Sequence, residues 1–383
     1  MKFIHTSDWH IGRQFHNVSL LDDQRHVLAQ IVDYIQSESV DALVIAGDIY
    51  DRSIPPATAV ELLDEVLHKI CHELDVPVIM ISGNHDSAER LRFGARQLKQ
   101  AGLHIIGDIN NITEPVIIKD KSGMAVNFYG IPYHDPELVR HHYDSPVRNH
   151  DEAHSFLVDT IKQSKTSPDA INVLLSHCFV DGAEESESER PLSIGGADRV
   201  SYAPMVDFNY VALGHLHSPQ YRGEPYIRYS GSILKYSFSE QHQKKGISLV
   251  ELDDNGTANV TSLPLTPLRD MRIVEGALAE IVENGKVDPN NNDYLMVRLT
   301  DTHAILDAMG KLRSVYPNVL HLEKPGIMST GETKAMNREK LKRGEMEMFQ
   351  DFFDQVSGNS LSADQSRALE AIIDGLHKKE AQQ

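Results

Sequence analysis

Five short segments of the chain concentrate side chains able to hold a cation or move a proton. They are Asp8-Trp9-His10, Gly47-Asp48 with Asp51, Gly83-Asn84-His85-Asp86, Ser176-His177 and Gly214-His215-Leu216-His217. Asp8 and His10 are two residues apart, as are His215 and His217, so on a continuing strand each pair points to one side. Asp48 supplies a carboxylate whose two oxygens can bridge two cations. Asn84 supplies a neutral carbonyl oxygen, and His177 a further imidazole. This mixture of imidazole, carboxylate and amide oxygen suits Mn²⁺, Fe²⁺ or Zn²⁺. No thiolate takes part, which argues against a structural zinc site. Taken singly, each segment has an ordinary explanation. A histidine after a strand usually bonds protein groups, and Gly-Asn-His-Asp can be a tight turn capping a helix that starts near Ser87. Those explanations do not account for all five segments occurring together in this order.

Each segment follows a predicted strand. Residues 2–6, 42–46, 76–81, 172–175 and 211–213 are apolar runs of strand length. Between them lie amphipathic stretches: 21–35 with a stripe of Val27, Leu28, Ile31, Val32 and Ile35, then 56–74 with Pro56 near its first turn, 88–100, and 152–163. Alternating strands and helices imply an α/β sheet covered by helices. Ligands in such sheets gather beyond the carboxyl ends of the strands, so five strand ends can converge on one cleft. After about Gly107 the pattern turns more β-like. Residues 116–118 and 125–129 flank a Lys-Ser-Gly turn as a hairpin, and 221–263 read as several strands with a turn at Asp254-Asn255-Gly256. The expected architecture is two sheets packed face to face with helices outside.

Pro264 and Pro267 mark a boundary. The expected organisation is a first domain over 1–266, a small α/β capping unit over 267–335, and a linker with helical tail over 336–383. In the tail, Phe349, Phe352, Phe353 and Val356 share one helical face, and Leu369, Ile372, Ile373 and Leu376 another. Ser362 and Gln365 form a capping box between them. Amphipathic helices after a polar linker suit a tethered docking module. The Glu/Ser run at 184–189 reads as a solvated loop without a function.

Composition sets outer limits. The chain has 383 residues, 40% of them apolar, enough for a sizeable core. The opening MKFIHTSDWH carries one early lysine and no long apolar run, predicting neither secretory signal nor membrane span. Two cysteines, Cys71 and Cys178, give no disulfide framework and fit a reducing cytoplasm. The formal charge of −19 runs against a nucleic-acid partner. Net charge says little about one cleft, however, and bound divalent cations invert the sign of a carboxylate-lined site. Basic residues do cluster locally, at Arg90, Arg92, Arg96 and Lys99 and at Arg338, Lys340, Lys342 and Arg343. As phosphate contacts they would position a duplex without reading its sequence.

The ordered set DWH, GDIYD, GNHD, SH and GHLH resembles the calcineurin-like metallophosphoesterase superfamily. The opening HTSDWHIG, the length and the tail narrow the resemblance to SbcD-type exonuclease subunits. The resemblance is strong over about residues 1–240 and implies a two-sheet αββα sandwich. It implies two divalent ions, typically manganese. Asp8, His10, Asp48 and His217 would hold one, and Asp48, Asn84, His177 and His215 the other. His85 would face the substrate phosphate as the catalytic group, with Asp86 orienting it and Asp51 a further support behind the ligands. Paired ions of this kind clamp a phosphodiester and activate water for in-line attack. The implied partners are duplex DNA, an SbcC-type ABC ATPase whose coiled coil the C-terminal helices grip, and a second nuclease subunit within a heterotetramer. Two other functions stand beside the nuclease: a small-molecule phosphodiesterase on the same fold, and a non-catalytic scaffold. The complete donor set argues against the scaffold. The extra α/β unit and tail argue against a small substrate, which needs neither. Fold alone does not choose among them.

Overall fold

The computed structural model describes residues 1–165, 167, 170–189, 198–301, 305–324, 346, 349, 350, 353, 354 and 360–380. The chain divides into two compact units, Met1–Asp270 and Met271–Gln383.

The first unit holds two six-stranded sheets. In the first, β1 (Lys2–Thr6), β2 (Ala42–Ile45), β3 (Val78–Ile81) and β4 (Leu103–Ile106) run parallel. In the second, β5 (Val116–Lys119) pairs antiparallel with β6 (Ala125–Ile131). Strands β6, β7 (Ile171–His177) and β8 (Tyr210–Gly214) then run parallel. An edge hairpin, β9 (Gln220–Arg222) and β10 (Glu224–Tyr229), joins through β10 beside β8. Strands β11 (Gly246–Leu252) and β12 (Ala258–Pro264) return antiparallel to the first sheet, with β11 beside β1. Chains of parallel strands need crossovers, and α1 (Leu21–Ser37), α2 (Ala57–Leu67) and α4 (His150–Ser164) supply three of them, with the short α3 (Pro136–Tyr143) preceding α4.

Alternation along the strands assigns each side chain to a layer. Phe3, Val44, Ile79 and Ile81 of the first sheet meet Val126, Phe128, Val173, Leu175 and Tyr210 of the second. Phe3 packs edge-on against Phe128 and Tyr210, with ring centroids 5.4 and 5.6 Å away. The intervening residues of the second sheet, Leu174, Val211 and Leu213, face the other way, into a cluster with Ala153, Leu157, Val158 and Ile161 of α4. Burial of each large aliphatic side chain there contributes about 1.5–3 kcal/mol. This is the two-sheet sandwich expected from the strand–helix alternation.

Two helices differ from expectation. The stretch expected as one helix over 56–74 is α2 followed by a π-helical turn, His68–Glu73. The stretch expected as a helix over 88–100 is broken into Ala88–Leu91 and Ala95–Leu98 by Gly94, whose φ of 75° is left-handed. A residue without Cβ adopts that conformation at little cost and interrupts the helical hydrogen bonds.

The second unit has a parallel three-stranded sheet of β13 (Met271–Gly276), β14 (Tyr294–Leu299) and β15 (Val319–Glu323), with α5 (Leu278–Gly285) and α6 (Ala308–Arg313) between them. Leu278, Ile281, Leu295, Val297 and Leu312 form its core. The capping box at the start of α7 (Ala363–Glu380) is reciprocal: Ser362 N–H donates to Gln365 Oε1 (2.9 Å) and Gln365 N–H to Ser362 Oγ (3.3 Å). The expected linker over 325–344 lies outside the described residues, as do Phe352, Val356 and the basic cluster around Arg338. Among the described residues no helix is long and apolar enough to cross a membrane.

A buried pair of imidazoles is expected to make the fold acid-sensitive. His134 and His154 stack with centroids 6.1 Å apart, and His154 Nε2 lies 2.9 Å from Ser176 Oγ. Burial lowers them to about 4 and about 3 respectively. The folded state thus keeps both neutral where the unfolded chain, near 6.5, takes up protons. Their contribution is present above pH 6.5 and is lost as pH falls toward 4, at up to about 1.4 kcal/mol per pH unit for each ring. Urea midpoints between pH 7 and 5 should therefore fall less steeply for His154→Gln than for the native chain. Equal slopes would contradict this.

Candidate metal centre

The five segments meet at the carboxyl ends of β1, β2, β3, β7 and β8. Main-chain hydrogen bonds zip the first two loops together: Asp8 N–H to Gly47 O (3.1 Å), His10 N–H to Asp48 O (3.0 Å) and Ile11 N–H to Ile49 O (2.9 Å). Gln24 of α1 grips the same turn, its Nε2 donating to the carbonyls of Trp9 (3.1 Å) and His10 (2.7 Å) while its Oε1 accepts from Gly12 N–H (3.0 Å). Tyr236 donates its hydroxyl to Trp9 O. These two supports carry no signal in the sequence spacing.

The i, i+2 pairs do not face the cleft by continuing their strands. Asp8, His10, Asp48 and His215 all have left-handed backbone, with φ of 53°, 45°, 51° and 108°. Side chains with a Cβ adopt this region at a cost, and such strain collects at functional sites. Strand periodicity therefore gives the wrong reason for a correct convergence. The glycines beside the ligands make the packing possible. A Cβ on Gly83 would stand 2.1 Å from Asp48 Oδ1, and one on Gly47 2.3 Å from His177 Nδ1.

The seven expected ligands come together. His10 Nε2 and His177 Nε2 each lie 3.6 Å from Asp48 Oδ2, which places this carboxylate between two groups of donors. On one side, His10 Nε2 is 3.1 Å from His217 Nε2, and Asp8, His10 and His217 form a set able to share a cation. On the other, Asn84 Oδ1 lies 2.9 Å from His177 Nε2 and 3.1 Å from His215 Nδ1. Asp8, Asp48 and His177 form a second such set. Asp8, His10, Asp48, His177, His215 and His217 are buried, none more than 4% exposed.

The electrostatics fit divalent cations. His177 donates Nδ1–H to Ala46 O (2.8 Å), and burial keeps its ring neutral, so Nε2 presents a lone pair. That lone pair faces the oxygens of Asn84 and Asp48, an assembly of acceptors with no proton between them. Burial also holds His10 and His215 neutral. The Asp8 carboxyl is raised well above the usual range by burial and then by the charge of Asp48. Asp86 is pushed up to about 7 by the same two causes. Crowded buried carboxylates surrounded by imidazole lone pairs are costly until a cation offsets them. The His10 Nδ1 and Asn84 Nδ2 atoms are buried without a partner.

His85 is placed differently. Its Nδ1 lies 2.8 Å from the main-chain oxygen of Asp51, and its N–H donates to Asp48 Oδ1 (2.9 Å). The ring lines an open cavity of about 490 Å³ together with Arg13, Asp51, Arg52, Ser53 and Asn84. A third potential ligand set, His10, Asp51 and His85, shares His10 with the first. Asp86 does not orient His85, contrary to expectation. Its carboxylate accepts from the N–H groups of Ile49 (3.1 Å), Tyr50 (2.9 Å) and Gly83 (2.9 Å). It thus staples the Asp48 loop to the Asn84 loop, and the carbonyl of Asp51 orients His85 instead. The Asp51 carboxylate pairs with Arg13 Nη1 at 3.0 Å.

The 184–189 segment also departs from expectation. Ser188 and Glu189 reach the centre: Ser188 Oγ is 2.7 Å from His217 Nδ1, and Glu189 Oε1 accepts from His217 N–H at 2.7 Å. Composition does not mark these two residues, and the buried ion pair of Lys245 with Glu240 behind His217 has no local sequence signature either.

Comparison with known proteins identifies the family. The family model described as calcineurin-like phosphoesterase matches residues 1–219, and that of the Type 5 capsule protein repressor C-terminal domain matches 267–357. The chain is 34% identical over 376 residues to the SbcD component of the nuclease SbcCD from Staphylococcus epidermidis, covering 97% of this chain and 98% of the relative. Among solved structures, a dimetal phosphatase of Danio rerio aligns with 12% identity and a TM-score of 0.40, over 70% of this chain and 98% of its own. A Thermus thermophilus protein aligns with 12% identity and a TM-score of 0.39, over 68% and 98%. The chain belongs to the calcineurin-like phosphoesterases and, within them, to the SbcD-type nuclease subunits.

Proposed function

We infer that the chain hydrolyses phosphodiester bonds of duplex DNA at a centre of two divalent ions, as the nuclease subunit of a complex with an SbcC-type ABC ATPase. The observation that carries this reading is the division of the cleft: six residues, Asp8, His10, Asn84, His177, His215 and His217, gather on two sides of Asp48, while His85 alone of the motif imidazoles lines the open mouth. Asp8, His10, Asp48 and His217 hold one ion, and Asp48, Asn84, His177 and His215 the other. The mixed nitrogen and oxygen donors suit manganese. When bound, such ions neutralise phosphoryl charge and lower the pKa of the attacking water.

The chain's own groups do the rest. Asp51 O holds Nδ1 of His85, which leaves Nε2 for the substrate. In its protonated form that nitrogen donates to the leaving oxygen, a general-acid role. Arg13 and Arg52 at the mouth supply phosphate contacts in an otherwise acidic protein. The small-molecule alternative is disfavoured by the match to the relative over nearly the whole chain, including the second unit.

The partners follow the same reading. The helical tail, with Phe349 43% and Ile372 60% exposed, docks on the ATPase coiled coil. A second copy pairs through the face around Val60, Phe93 and Leu98, where Phe93 is 85% exposed beside a cavity of about 1350 Å³. The assembly is then a cytoplasmic heterotetramer.

The test uses Mn²⁺ and end-labelled duplex DNA, with and without the ATPase. Cleavage should far exceed turnover of cyclic nucleotides and nucleotide monoesters, and DNA affinity should fall as salt rises. A chain ending near Arg338 should cut but fail to co-purify with the ATPase. Efficient small-molecule turnover without DNA cleavage would replace the nuclease reading.

A further inference from the structure

Behind His217 lies a buried network that the metal ligands alone do not explain. Glu240 is fully buried, and its Oε2 accepts from Lys245 Nζ at 2.5 Å. Lys245 also reaches His217 O (2.8 Å), Ser232 Oγ (2.8 Å) and Gln243 Oε1 (2.6 Å), so its charge is fully engaged. The other carboxylate oxygen, Oε1, accepts from Tyr236 N–H (3.2 Å) and from the Ser188 hydroxyl. Ser188 has one hydroxyl proton, and Glu240 takes it. Its oxygen therefore faces His217 Nδ1, at 2.7 Å, as an acceptor. In the neutral ring the proton then sits on Nδ1, where Glu240 Oε1 at 3.4 Å is a second acceptor, and the Nε2 lone pair is aimed at His10 Nε2, 3.1 Å away.

We propose that Ser188 and Glu240 are positioning residues for the ion held by His217, acting as a carboxylate–hydroxyl–imidazole chain that fixes the ring's tautomer and direction. Partners behind a ligating histidine raise its basicity and lock its orientation, and losing one typically weakens metal binding about 10- to 100-fold. The two residues come from different settings. Glu240 comes from the 3₁₀ turn Phe238–Glu240 inside the first unit's core, whereas Ser188 comes from the acidic surface segment 184–189. That segment is held by Glu189, whose carboxylate accepts from His217 N–H (2.7 Å) and from the N–H and hydroxyl of Ser186 (2.5 and 2.7 Å), and by Arg13 Nη2 on Ser188 O (3.5 Å). The loop is thereby a structural part of one metal site, and affinity at that site depends on its seating.

The inference rests on the ligand assignment above, so the test separates the two. Full-length metal-free chain is titrated with Mn²⁺ by calorimetry, and its melting temperature is measured in chelator. The native chain should bind two ions, and His217→Ala should lose one. Ser188→Ala should weaken that same site about tenfold, leave the other unchanged, and keep the metal-free melting temperature within about 2 °C. Ser188→Thr, which retains the hydroxyl, should restore binding. Glu240→Gln should weaken the site by up to about 100-fold; if it does not fold, the Ser188 variants decide. If the native chain binds fewer than two ions, or His217→Ala loses none, the ligand assignment falls and takes this inference with it. If those controls hold while Ser188→Ala binds both ions with native affinity, or Ser188→Thr is as weak as Ser188→Ala, this inference alone is overturned.

Discussion

Replacing Asp48 by Asn is expected to remove both ions and stop cleavage, whereas replacing His85 by Gln stops cleavage with both ions still bound. The asymmetry follows from position. Asp48 Oδ2 lies 3.6 Å from an imidazole on each side, and its other oxygen accepts the N–H of His85. An amide at this buried point keeps one acceptor but loses the charge shared by both sites. His85 touches the centre only from the mouth, and its Nδ1 is committed to the carbonyl of Asp51. On the proposed reading its loss would remove a proton donor, an effect of about 100- to 10,000-fold on turnover. Metal content by mass spectrometry and single-turnover cleavage of labelled duplex check the pair. Equal loss of metal in the two variants would end the division into ligands and catalyst.

The second large effect concerns a residue with no side chain. Gly83→Ala places a methyl 2.1 Å from Asp48 Oδ1 and 2.4 Å from Asp48 N. The second of these atoms is backbone, held in the loop pairing that also carries His10. The loop must shift, and overpacking of this kind costs about 1–3 kcal/mol. A displacement of about 1 Å at a reacting centre lowers turnover about 100-fold. Gly83→Ala should therefore fold with a lower melting temperature, bind Mn²⁺ weakly and cut slowly. Native metal affinity in that variant would mean the two loops tolerate separation, and that the contact with Asp48 is not what places it.

The ligand motifs are legible in the sequence because each sits where a buried apolar strand runs out. Five such ends in one parallel-rich sandwich have few places to point other than a common cleft. The strands themselves are legible from runs such as Ala42–Ile45 and Val78–Ile81, too short for helices and apolar throughout. What escapes is geometry that no local pattern encodes. The left-handed backbone at Asp8, His10, Asp48 and His215 accompanies contacts between distant loops that no periodicity marks. Adjacency in the chain assigns Asp86 to His85. Its carboxylate is instead taken up by three main-chain N–H groups, two of them from the loop after Asp48. Composition marks the acidic run at 184–189 as solvated, and it cannot register one serine turned inward. The periodicity over 88–100 fits one helix, yet the left-handed backbone of Gly94 ends one helical piece and begins another.

Two ions flanking Asp48 are the central expectation. Crystals grown with Mn²⁺ and measured on both sides of the manganese absorption edge test that directly. The expected anomalous map has two peaks, one against Asp8, His10 and His217 and one against Asn84, His177 and His215, with Asp48 reaching both and His85 bonded to neither. A single peak, or a peak ligated by a ring nitrogen of His85, would contradict it.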